Sequence, residues 1–297
     1  MRGATVTATD AWPPPGARRV VPVGRDGVRW HVVVVGHGPA LLALHGTGAS
    51  GHSFLGLLPR LAPHFTVVVP DLPGHASTRV PRRFEPSLPR VAAATGRLLE
   101  ALDLSPAVLV GHSAGAAVAA QMTLDGAVRP RLLVGVAAAL EPLSGPSRLL
   151  LPASARWLAR LPASHLVARR LSERAAIERV IGHMGSRLDP EGVERYRRLA
   201  ARPSHVRGVT AMLAAWDLDP LHARLPSLDV HALLLAGSRD PASSPRRQRA
   251  VAARMRRARV VTVPGAGHLL HEERPELVAR VIGAELDRLS APRVDDA

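Results

Sequence analysis

Gly111-His112-Ser113-Ala114-Gly115 follows directly on the apolar run Ala107–Val110 and leads directly into the alanine-rich stretch Ala114–Leu124. A serine with a strand before it and a helix after it sits on a sharp turn that holds its hydroxyl out above a sheet. Glycine is needed on both sides, because a side chain there would clash in so tight a bend. On average composition the five-residue pattern turns up by chance in roughly one chain in ten of this length, so its weight comes from what flanks it. Ser113 is the candidate nucleophile.

Outward from that turn, short apolar runs alternate with helix-like stretches, the pattern of a mostly parallel sheet covered by helices. Val28–Val35, Ala40–Leu44, Phe65–Pro70, Ala107–Val110, Leu132–Ala137, Val230–Leu235 and Val260–Val263 read as strands. Phe54–Leu61, Leu88–Leu102, Ala114–Leu124, Pro245–Met255 and Pro275–Leu289 read as helices, with a helical period plain in Val91, Leu98, Leu99 and Leu102. The fold class is α/β. After Leu140 the alternation stops, and from Glu141 to Leu228 only helical segments appear, split by eight prolines. An all-helical insertion between two strands predicts a cap over the carboxyl edge of the sheet, where ligands bind in open α/β sheets. The expected organisation is a core of residues 1–140 and 229–289, a cap of 141–228 and a frayed tail of 290–297.

A nucleophilic serine needs a base, which in this arrangement comes late in the chain. His268, in Val263-Pro264-Gly265-Ala266-Gly267-His268, follows the last strand and so lies at the same sheet edge as Ser113. His271 is the second candidate; its neighbours Glu272 and Glu273 point to a place at a helix start, where acidic residues complement the dipole. A carboxylate must fix the imidazole tautomer and stabilise the imidazolium. Asp240, in Gly237-Ser238-Arg239-Asp240-Pro241, lies after the preceding strand in the order Ser…Asp…His, with a helix N-cap as its alternative role and Glu141 as the fallback acid. Donors for a developing oxyanion are expected from the backbone N–H of Ala114 and from the loop His45-Gly46-Thr47-Gly48, through Thr47. His45 and His112 beside these groups, and Trp157 and Trp216 in the insertion, are the candidate substrate contacts, the tryptophans being more commonly core residues.

Composition narrows the chemistry. The 297 residues contain no cysteine, which removes disulfides, thiolate catalysis and Cys-built metal sites and suits a reducing, cytoplasmic compartment. Lysine is absent too, which removes Schiff-base chemistry and a P-loop. No cofactor or metal is expected. All 39 basic residues are therefore arginines, and the net charge is +15. Much of this reads as solvated helix surface, with an acidic partner, a carboxylate ligand or peripheral contact with anionic lipid as the sharper readings. Nucleic acid is disfavoured, since aromatics make up only 3% and no recognition motif is present. The first residues lack the apolar core of a secretory signal, and no apolar run is long enough to span a bilayer. Oligomeric state is left open.

The series His45–Gly48 (HGTG), Asp71–His75 (DLPGH), Gly111–Gly115 (GHSAG), Ser238–Pro241 (SRDP) and Gly267–Glu276 (GHLLHEERPE) resembles the α/β-hydrolase superfamily from about Val20 to Leu289. Within it the chain resembles the magnesium chelatase accessory proteins of bacteriochlorophyll biosynthesis. That likeness is carried by Gly111–Val118, Leu124-Asp125-Gly126, Leu188–Tyr196, Ala214–Leu218 and Gly267–Pro275. Ala76 departs from the pattern, standing where the superfamily commonly has glycine. The resemblance implies assistance to magnesium insertion into protoporphyrin, with magnesium chelatase as partner and an ester or porphyrin as small-molecule ligand. The triad itself suits ester-type hydrolysis, and a carboxylesterase, a lactonase or a cofactor-free perhydrolase unrelated to pigment synthesis is the alternative. Serine at the elbow, a single tyrosine and no lysine argue against haloalkane dehalogenase, epoxide hydrolase and hydroxynitrile lyase chemistry.

Overall fold

The computed structural model describes residues 16–24, 26–142 and 172–291. Eight strands form one sheet: β1 (Arg18–Val23), β2 (Val28–Val35), β3 (Ala40–Leu44), β4 (Thr66–Pro70), β5 (Val108–His112), β6 (Leu132–Val136), β7 (His231–Gly237) and β8 (Ala258–Val263). Their order is β1-β2-β4-β3-β5-β6-β7-β8. β2 runs antiparallel to both β1 and β4, and the other pairings are parallel. The chain is thus α/β with a mostly parallel sheet. Because β3 to β8 all point one way, the loops that follow them gather at one edge.

Among the described residues the helices are α1 (Leu58–Leu61), α2 (Leu88–Ala101), α3 (Ala114–Leu124), α4 (Arg174–His183), α5 (Pro190–Ala200), α6 (Pro203–Ala215), α7 (Asp219–Arg224), α8 (Pro245–Ala252), α9 (Leu270–Glu273) and α10 (Pro275–Ser290). β3, β5 and β6 are buried at every position, as parallel strands are when helices cover both faces. Alternate residues divide between two apolar layers. Leu42, Leu109, Leu133 and Leu234 pack with Leu98 of α2 and Val118 of α3. Leu41, Val110, Val134 and Leu233 pack on the other face with Phe54 and with Val278 and Ile282 of α10. α3 is buried from Ala114 to Met122, which explains its alanines: small side chains let a fully enclosed helix lie close to the sheet.

Two elements differ from the sequence expectation. β1 was not foreseen; its Arg18, Arg19 and Val20 are exposed and it carries Pro22, which an edge strand tolerates but which hides the usual alternation. The helix expected over Phe54–Leu61 is instead a 3₁₀ turn, Gly51–Phe54, capped by Ser50, followed by the single turn α1. Gly56 separates them and lies against Pro275, where a Cβ would come within 2.9 Å of the ring. Between β6 and β7 the described residues 172–228 hold α4 to α7 and a short 3₁₀ turn, with Pro190 and Pro203 opening α5 and α6 at the first helical position. Trp157 lies outside the described residues.

Candidate active site

Ser113 joins β5 to α3 with φ 49° and ψ −114°, a sparsely populated positive-φ conformation that costs a non-glycine residue roughly 1–3 kcal/mol. The surroundings hold it there. Its N–H donates to the Val136 carbonyl (2.9 Å), and its own carbonyl accepts from Ala116 (3.0 Å) and Ala139 (3.2 Å). Both flanking glycines are required by close approach: a Cβ on Gly111 would lie 2.4 Å from the Ala116 backbone, and one on Gly115 would lie 2.1 Å from the Leu44 carbonyl oxygen. As the first residue of α3, Ala114 has an N–H with no intrahelical acceptor.

His268 and Asp240 come together across the loops after β8 and β7. The His268 Nδ1–H donates to Asp240 Oδ2 at 2.8 Å, with both residues buried. A carboxylate only accepts, so Nδ1 carries a proton, and the tautomer this fixes is the one with its lone pair on Nε2. Asp240 Oδ1 accepts from the N–H groups of Ala242 (2.8 Å) and Ser243 (2.9 Å). The alternative role weighed for Asp240, capping α8, belongs to Ser244, which accepts from the Arg247 N–H. Glu141, the fallback acid, forms an ion pair with Arg247.

His112 links the elbow to this pair: its Nε2–H donates to the His268 carbonyl (3.1 Å), and the two rings meet edge-on with centroids 5.0 Å apart. Burial holds the His112 ring well below the ordinary imidazole range, so it stays neutral. His271 stands in the first turn of α9 with Glu272 and Glu273, as its acidic neighbours implied. Its ring is fully buried between His112 (4.4 Å) and Phe54 (5.3 Å), with neither ring nitrogen hydrogen-bonded. Burial pushes its pKa down to about 3. The two acids complement the helix start while the ring turns inward to Phe54.

His45, expected as a substrate contact, is enclosed by backbone. The Leu72 N–H donates to its Nε2 (2.8 Å), so Nδ1 bears the proton and donates to the Gly46 carbonyl (2.8 Å), and the ring is fully buried. It shapes the loop and offers nothing to a ligand. Gly46 is pressed against the elbow, where a Cβ would come within 3.1 Å of Ser113 Cβ. Thr47, the next residue, directs its hydroxyl toward Met212 Sδ of α6 at 3.8 Å. His205 of α6 clasps the same region: its Nδ1 accepts from the Ala76 N–H (3.0 Å) and its Nε2–H donates to the Gly48 carbonyl (3.2 Å). Ala76, at the position where the superfamily commonly has glycine, keeps a left-handed φ of 43°. Trp216 is half-buried against the main apolar layer.

Sequence reasoning missed three groups. Glu273 accepts from the Gly267 N–H (2.9 Å) and pairs with Arg239 (3.3 Å), so one carboxylate ties together the residues preceding His268 and Asp240. Tyr196 of α5 donates to Glu272 (2.6 Å), and burial raises that carboxyl to about 8. Met184 and Ser186, at the end of α4, bond the backbone at His268 and Leu269. The run His271-Glu272-Glu273 flagged acids, but their partners lie far off in sequence. Among the described residues, no group of three or more His, Asp or Glu converges to hold a metal ion, and no helix is long and apolar enough to cross a membrane.

The model of the alpha/beta hydrolase family matches residues 41–281. The chain is 40% identical over 258 residues to the magnesium-chelatase 30 kDa subunit of Rhodobacter capsulatus, spanning 86% of this chain and 88% of that protein. It is 29% identical over 246 residues to the pimeloyl-[acyl-carrier protein] methyl ester esterase of Xanthomonas axonopodis pv. citri, spanning 80% and 91% respectively. A thermophilic esterase from Thermogutta terrifontis superposes with a TM-score of 0.72 at 25% identity, over 92% of this chain and 99% of that one.

Proposed function

Because the chain belongs to the alpha/beta hydrolase family, we propose that Ser113, His268 and Asp240 act as a serine-hydrolase triad in a cytoplasmic protein that serves magnesium chelatase. Its task in that reading is to assist magnesium insertion into protoporphyrin during bacteriochlorophyll synthesis, as the likeness to a chelatase 30 kDa subunit suggests. The observation that carries the chemistry is the 2.8 Å bond from His268 Nδ1 to Asp240 beside the strained elbow. With Nδ1 committed, Nε2 takes the Ser113 hydroxyl proton as Oγ attacks an acyl carbon, and Asp240 stabilises the resulting imidazolium. The N–H groups of Thr47 and Ala114 receive the oxyanion, His268 returns the proton to the leaving group, and it then activates the water that releases the acyl group.

Two measurements test this. Labelling with a fluorophosphonate should place one adduct on Ser113 and none on a Ser113→Ala variant; a folded protein that takes no adduct refutes the triad. Addition of the chain to magnesium chelatase with protoporphyrin should raise the rate of metal insertion, and no change at saturating protein refutes the accessory role. The methyl ester esterase relative favours a second reading, a free-standing ester hydrolase. Turnover of simple esters or lactones without any effect on metal insertion would select it.

A further inference from the structure

We infer that the turn Met184-Gly185-Ser186, at the end of α4 in the segment between β6 and β7, is a built-in part of the active centre, with Ser186 as the positioning residue for His268. The inference rests on the triad reading above. α4 ends in a Schellman motif: the Ser186 N–H returns to the Ile181 carbonyl (3.1 Å) and the Gly185 N–H to Gly182 (2.9 Å), with Gly185 in the left-handed region at φ +70°. That motif leaves two acceptors pointing at the loop after β8. The Met184 carbonyl accepts from the His268 N–H (3.0 Å), and Ser186 Oγ accepts from the Leu269 N–H (2.8 Å).

Packing reinforces both bonds. Gly185 is wedged between the two loops that carry the triad acid and base. A Cβ on it would lie 2.0 Å from the Arg239 carbonyl oxygen, and a Cβ on Gly267 would lie 2.3 Å from the Gly185 carbonyl carbon. Leu269 leaves the main core to join Ile177, Ile181 and Val193 of α4 and α5 in a small separate cluster. On its outer side the turn borders a cleft of about 640 Å³ lined by Ser186, Arg187 and Arg239. The bonds to His268 and Leu269 therefore act together with the inner packing of Met184 and Gly185 to fix where the turn sits. Ser186 itself is buried, so its loss removes the protein acceptor of the Leu269 N–H. Any shift of α4 moves the backbone of the base, and the helices here act as a brace for catalysis as well as a cover.

The test compares the full chain with Ser186→Ala, Ser186→Thr and, as a surface control in the same turn, Arg187→Ala. The readouts are the rate of Ser113 labelling by a fluorophosphonate, the downfield proton resonance of His268 Nδ1–H, and the melting temperature. Ser186→Ala should slow labelling about tenfold and shift or broaden the resonance, while Ser186→Thr and Arg187→Ala stay near the parent. A Ser186→Ala resonance identical to the parent overturns the inference, as does a labelling loss that only follows unfolding. Absence of labelling in the parent chain would count against the triad reading alone, because the resonance reports the position of His268 without any turnover.

Discussion

Replacing Asp240 by asparagine changes one atom and should nearly abolish the reaction. In the native site, Oδ1 accepts two backbone N–H bonds, from Ala242 and Ser243, while Oδ2 accepts the His268 Nδ1–H. Asparagine has one acceptor for these two jobs. If its oxygen keeps the backbone pair, its NH₂ faces His268, and Nδ1 must give up its proton to accept. The proton then sits on Nε2, and the base faces Ser113 already protonated. If the amide turns over to save the tautomer, its NH₂ confronts two N–H donors in a buried site, each left unsatisfied at about 1–3 kcal/mol. The flip thus costs roughly 2–6 kcal/mol, and the inverted tautomer prevails. A wrong tautomer lowers turnover by about 10⁴-fold, or about 5 kcal/mol of barrier. The assay is the second-order rate of Ser113 labelling by a fluorophosphonate, with the melting temperature as a control for folding. Labelling within tenfold of the parent would refute the argument, since the tautomer would then not govern the reactivity of Ser113.

Gly115→Ala should cost about 3 kcal/mol or more, because the new Cβ would stand 2.1 Å from the Leu44 carbonyl and α3 would have to lift off β3; urea unfolding showing a loss under 1 kcal/mol contradicts the close packing of the elbow. Glu272 is raised to about 8 in the fold against 4.5 in the free chain, so the folded state holds the proton more tightly and stability falls as pH rises between those values. Glu272→Gln should remove that slope, of order 1 kcal/mol per pH unit, and parallel urea stabilities of parent and variant from pH 5 to 8 would refute it. Glu273→Gln keeps an acceptor for the Gly267 N–H but loses the ion pair to Arg239; labelling should fall a few-fold while stability changes by less than about 1 kcal/mol. A large fall in stability with labelling intact would make it a structural residue only.

The elbow and the strands around it were legible because their signals are local: glycines on both sides of Ser113, and apolar runs whose burial on both faces leaves no alternation to confuse. The positions of His268 and Asp240 after β8 and β7 followed from topology, since parallel strands deliver successive loops to one edge. What could not be read depends on distant partners. His45 stands in the loop expected to supply oxyanion donors, yet its nitrogens are taken by Leu72 and Gly46, the first of them 27 positions away. His271 was placed at a helix start by its acidic neighbours, but nothing local showed that its ring packs inward against Phe54 and His112. Ser186 lies in a stretch with no motif, and its bond to Leu269 spans 83 residues.

The imidazoles packed around this site set a lower boundary on the conditions the molecule survives. His45, His75, His112, His205 and His271 are all buried, and burial depresses every one below its ordinary value. In the unfolded chain each takes up a proton near pH 6.5, while burial opposes that proton in the fold, so these rings take stability away as pH falls beneath 6.5. His205 and His271, held down to about 4 and about 3, each withdraw on the order of 1 kcal/mol at pH 5.5. Mild souring of the medium, well short of the acidity at which most carboxylates discharge, should therefore draw on the stability held in these buried rings, against the opposing gain from Glu272.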